Sequence, residues 1–185
     1  MLATDKIQIA LNDRGAGWSD CAITVGPKAF VLEGISDTTD VLGDPLRAAL
    51  EIATGGSFSR AGFDREPHEW RLLLTHRWEG MPQRRVFRLR VLEFEDIYAC
   101  EPDEVGHECF TTECNAEAFV VAVRDAVAAA LANNRTDEFS ADSVFRSRAL
   151  AALNAAIAIT APLNVRFGSF SVVPVDSADY TRRLN

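Results

Sequence analysis

The residues with the clearest chemical potential lie in "CEPDEVGHECFTTEC", positions 100 to 114, which gathers Cys100, His107, Cys109 and Cys114 into one short stretch. Three thiolates and one imidazole would complete a tetrahedral zinc shell. The spacing argues otherwise. Structural zinc sites offer ligand pairs typically about two to four residues apart on tight knuckles, whereas here the intervening gaps are six, one and four residues. The expectation is therefore no bound metal, with the cysteines packing as small apolar residues. Cys114 precedes a helical pattern, and a helix N-terminus lowers a thiol pKa. Glu108, Glu113 and Glu117 surround it with negative charge, which works in the opposite direction. No catalytic residue is assigned.

Charge is segregated along the chain. Residues 60 to 90 hold eight arginines against four acids, and residues 93 to 117 hold nine acids with no lysine or arginine. Carboxylates without a local counter-charge repel one another, tolerate a solvated surface and attract a basic protein. Asp96, Glu101, Asp103, Glu104, Glu108 and Glu113 are accordingly the candidate partner-facing residues. Alternation along two strands places Arg88 and Arg90 opposite an apolar row and makes one sheet face rich in arginine. With Arg71 and Arg77 these form an alternative site for an anion or small ligand. The simpler structural reading is a solvent face whose arginines pair with neighbouring carboxylates.

At 185 residues the chain is the size of one domain, and 48% apolar with 25% charged residues is ordinary globular composition. A net charge of -8 disfavours binding to a nucleic-acid backbone, which requires a basic footprint. "MLATDKIQIALND" lacks the basic start and continuous apolar run of a secretory signal, so the expected compartment is the cytoplasm, with four free thiols. The apolar stretch 149–163 is interrupted by Asn154 and is too short to span a bilayer. A phosphate-binding glycine loop, a GxSxG elbow, an HExxH pair and an EF-hand loop are all missing, so no cofactor is expected and no enzyme class is indicated. His76, in phase with Trp70, Leu72, Leu74 and Trp78, reads as a partly buried, hydrogen-bonded side chain.

These residues need elements to position them. "KIQIALND", "WSDCAITVG" and "PKAFVLEGIS" alternate and are separated by glycine and proline, which predicts an antiparallel meander. Leu42, Leu46, Ala49, Leu50 and Ala53 form a helical stripe that ends at Gly55-Gly56, with Asp44 as a cap before Pro45 or an irregular turn there. Residues 69 to 94 alternate most strictly and predict a central hairpin. A helix capped by Asn115 and ending near Asn133-Asn134 follows, then a second helical stripe stopped by Pro162, and residues 163–185 form an extended arm or edge strand. The expected fold is α+β in a single domain over 1–185, a twisted antiparallel sheet of about five strands with two or three helices on one face.

The run "SDTTDVLGDPLRAALEIATGG" and then "FDREPHEWRLLL", Ser36 to Leu74, followed by "AEAFVVAVRDAV", resembles a group of small uncharacterised bacterial proteins over the region to residue 132. Some members of that group look like immunity partners of secreted toxins. The expected function is a non-enzymatic protein-binding module, immunity-like in its sharpest form; the alternatives are an anion- or ligand-binding regulatory module using the arginine face and an enzyme of unrecognised type, and the resemblance supplies no catalytic residues.

Overall fold

A computed structural model describes residues 6–80, 84–98, 100–133 and 141–166. The chain is α+β, and the described residues form seven strands in two antiparallel sheets and three α-helices. β1 (Ile7–Gly15), β2 (Trp18–Val25) and β3 (Lys28–Ser36) form the meander expected from their alternation. After α1 (Gly43–Ala53), a second meander runs through β4 (Phe58–Arg65), β5 (His68–Glu79), β6 (Arg84–Phe94) and β7 (His107–Asn115). α2 (Ala116–Asn133) and α3 (Ala141–Arg166) complete the chain order.

Two sheets, of three and four strands, thus replace the single five-stranded sheet of the sequence reading. The missing strands are β4 and β7. Their inward positions are Ser59, Ala61 and Phe63 in β4, and Phe110, Thr112 and Cys114 in β7. Small or hydroxylated residues at four of those six places, Ser59, Ala61, Thr112 and Cys114, hide the period of two on which a strand is recognised.

Both sheets turn apolar rows toward one core. Ile23, Leu32 and Ile35 come from the first sheet, and Phe63, Leu72, Leu74, Phe87 and Leu89 from the second. α1 adds Leu46 and Ile52, α2 adds Phe119 and Val123, and α3 adds Leu153. At the junction of the sheets the Phe30 ring meets Trp70 edge-on at 5.6 Å and lies 5.7 Å from Phe110.

The helix ends follow from local hydrogen bonding. At α1 it is Asp40, rather than Asp44, that accepts the Gly43 N–H, at 2.8 Å. Pro45 then falls in the first turn, where a missing N–H costs nothing. Asp44 instead pairs with Arg47 at 2.6 Å. At the other end Arg85 donates to the carbonyls of Ile52 at 2.9 Å and Gly56 at 3.3 Å. Asn115 caps α2 as expected, accepting the Ala118 N–H at 3.0 Å. α3 continues through Pro162 to Arg166, so that proline does not stop it. The proposed C-terminal arm lies mainly outside the described residues, and among those residues no helix is long and apolar enough to cross a membrane.

Candidate functional site

The face of the second sheet turned away from the core carries the charged residues. Strand register sets Arg71 of β5 between Gly62 of β4 and Leu92 of β6, and sets Arg88 and Arg90 of β6 across from Glu113 and Thr111 of β7. The arginine-rich and acid-rich segments are therefore brought face to face by antiparallel pairing.

Residues 95–98 and 100–106, between β6 and β7, fold back over this face as a strap and bury it locally. Beneath the strap Leu73, Leu92 and Phe94 form a second, small apolar cluster. Arg71 is buried beside them. Its guanidinium forms a two-pronged pair with Glu69, Nε to Oε1 at 2.6 Å and Nη2 to Oε2 at 2.8 Å. Nη1 donates to the Glu101 carbonyl and, at 3.1 Å, to Asp103 Oδ1. The cation also lies 3.7 Å over the Phe94 ring. The Glu69 hydrogen bond, opposed by desolvation and aided by Asp103, raises the Arg71 pKa above its ordinary value, so the residue stays charged. Removing one partner of such a buried pair exposes the other to a low dielectric, which is why these networks fix geometry strongly.

Two further contacts set the strap. Gly106 lies against the Phe94 ring so closely that a Cβ has no room there. Ile97 N–H donates to the Pro67 carbonyl at 2.9 Å, tying the strap to the β4–β5 turn.

The structure distributes the candidate acids into two groups. Asp103, Glu108 and Glu113 are paired: Asp103 with Arg71 and, at 3.6 Å, Arg60; Glu108 with Arg90 at 2.5 Å and Arg88 at 3.6 Å; Glu113 with Arg77 at 2.5 Å. Their carboxylates have the local cations that the sequence reading found missing. Glu101 engages Arg71 through its carbonyl only, and its side chain is exposed with those of Glu95, Asp96 and Glu104. Asp96 also accepts the Tyr98 N–H at 2.8 Å, closing a tight turn. Among these acids stand two apolar side chains turned to solvent, Tyr98 at 81% and Val105 at 61% exposure.

The alternative anion site looks different in space. Arg71, Arg77, Arg88 and Arg90 each already face a carboxylate, so an anion would have to displace one. Glu69 and Arg60, which complete the Arg71 network, were not singled out from the sequence as site residues. Glu69 shares a strand face with Arg71 two positions on, the one signal that could have found it.

The thiol and imidazole groups occupy unlike environments. Cys100 is exposed on the strap, His107 is exposed at the start of β7, Cys109 is half-buried and Cys114 is buried in the main core. No three metal-ligating side chains among the described residues come together. Burial, reinforced by Glu113, pushes the Cys114 thiol up to about 12, so it is protonated and unreactive at neutral pH. The Cys109 thiol is also raised, by burial and then by Glu93. His76 departs from its expected hydrogen bonding: Nε2 is buried with no partner among the described residues, and the ring packs edge-on against Trp78 at 4.8 Å. Burial, then Arg85, lowers its pKa.

No protein-family model, curated protein or solved structure matches this chain.

Proposed function

We propose that the chain is a non-enzymatic, cytoplasmic bacterial protein-binding module whose acidic strap receives a basic protein, in the manner of an immunity protein that neutralises a secreted toxin. The observation that carries this reading is the buried Arg71 network, which fixes a strap on which Glu95, Asp96, Tyr98, Glu101 and Glu104 are all exposed. A prepositioned surface loses little conformational entropy on binding, and exposed carboxylates accelerate encounter with a cationic partner. Tyrosine is enriched among binding hot spots, and Tyr98 is exposed on the same segment. The arginine-face alternative has less support, because its guanidinium groups are engaged.

The test separates exposed from structural acids. Asp96→Asn, Glu101→Gln and Glu104→Gln remove three exposed charges and leave the Asp103 and Glu108 pairs intact. Wild type and this triple variant are immobilised and challenged with source cytosol at low and raised ionic strength. A basic protein retained by wild type at low salt, and lost both with salt and with the variant, is the expected result. Equal retention by both proteins, indifferent to salt, would reduce the strap to a solvated loop.

A further inference from the structure

A cleft of about 500 Å³ opens between the β1–β2 hairpin, the end of β3 and the approach to α1, with Arg146 of α3 on one wall. None of the strap residues lines it. Its size falls within the roughly 300 to 1,000 Å³ of small-molecule sites.

The charges around the cleft do not cancel. Arg146 is occupied by Asp40, with Nε at 2.9 Å and Nη2 at 2.8 Å from the same carboxylate oxygen. Arg14 is occupied by Asp20 at 2.8 Å. Two carboxylates in the lining, Asp13 and Asp37, have no ion-pair partner among the described residues. Asp13 uses Oδ1 to accept the Gly15 N–H at 2.7 Å, which leaves its second oxygen available. Asp37 is placed by its own backbone, whose N–H donates to the Gly17 carbonyl at 2.8 Å. Its carboxylate lies over Gly17, where a Cβ would stand 2.7 Å from Oδ2. Gly17 also has φ +82, so both the backbone and the space reserve this position for glycine. The next residue, Trp18, is 38% exposed and lines the same cleft.

An aromatic face next to unneutralised carboxylates is the combination that attracts an organic cation, because the ring quadrupole and the anions act on the same charge. We propose that this cleft binds an alkylammonium or guanidinium group, held between the Trp18 indole and the carboxylates of Asp13 and Asp37. The cation comes either from a free amine or from a basic side chain on a polypeptide.

The two sources are distinguished by two probes, agmatine and the capped tripeptide acetyl-Gly-Arg-Gly-amide, titrated into the full chain while the Trp18 indole N–H resonance is followed. Loss of that resonance in Trp18→Phe assigns it. Saturable shifts with agmatine are expected, and because Asp13 and Asp37 are both exposed, Asp37→Asn or Asp13→Asn should each weaken binding roughly two- to fivefold, the scale of one solvent-accessible charge contact. Saturation with the peptide alone upholds the site and assigns the cation to a polypeptide side chain. Uncharged 1,4-butanediol should leave the resonance in place. The remaining amide spectrum reports whether each near-isosteric variant is folded. Absence of a saturable shift with either probe, a matching shift with the diol, or wild-type affinity in both folded asparagine variants would overturn the proposal. Because the strap is unaltered throughout, the outcome is independent of partner capture.

Discussion

A guanidinium that leaves water must recover hydrogen bonds elsewhere, and Arg71 does so from Glu69, Asp103 and the Glu101 carbonyl. Arg71→Met would leave Glu69 and Asp103 with only the looser, half-exposed Arg60, at 3.9 and 3.6 Å, and should cost about 3 to 5 kcal/mol in urea unfolding. Lysine cannot reproduce the planar fork, so Arg71→Lys should recover only part of that loss. A change within that of an exposed arginine such as Arg47 would contradict the clamp. Cysteine gives a second prediction at this scale. Burial pushes the Cys21 and Cys114 thiols up to about 12, while an unfolded thiol ionises near about 8.5. The folded state therefore keeps protons that the unfolded state releases, so stability falls as pH rises from the unfolded value toward the folded one. Chemical denaturation of wild type and Cys114→Ala between those limits should show a shallower decline in the variant, and parallel declines would count against the burial account. Which arginine would be buried was not legible in the sequence. Arg71, Arg77, Arg88 and Arg90 look alike by alternation, and only the strap, closing from about thirty positions away, distinguishes Arg71.

Among the elements, β5 and β6 form the hairpin that was clearest in the sequence, because Leu72, Leu74, Phe87 and Leu89 keep the period of two and are all buried. Leu89→Ala should cost about 2 to 5 kcal/mol, as removal of buried leucine atoms does. A thermal midpoint unchanged from wild type would show that this strand is not central. β4 and β7 escaped notice for the reason their residues give: Ser59 and Thr112 face inward, and the Ser59 hydroxyl is satisfied by Glu51 at 2.5 Å only once α1 is in place. The candidate site suffers from the same limitation. The acidic segment was visible as composition, but its division into paired and exposed carboxylates depends on strand register, which composition does not encode. Arg85 offers a test of tertiary capping. It donates to the carbonyls at the end of α1, so Arg85→Ala should lower stability by roughly 1 to 2 kcal/mol, measured by denaturant midpoint.

Over the whole molecule, the charge segregation of the sequence becomes a layered surface. Arginines lie on the sheet, paired carboxylates lie across them, and carboxylates with no ion pair among the described residues are exposed with Tyr98 on the strap. A net charge of -8 adds a long-range attraction for cationic partners that salt screens over about 8 Å at physiological ionic strength. Association should therefore slow as salt rises while dissociation changes less. The most direct test of the central claim is amide hydrogen exchange on the chain alone and in complex with the basic protein it captures. The account predicts new protection concentrated in residues 95–106, abolished with capture itself in the Asp96→Asn, Glu101→Gln, Glu104→Gln variant. A complex that forms with protection confined to other surfaces, and an unchanged strap, would contradict it.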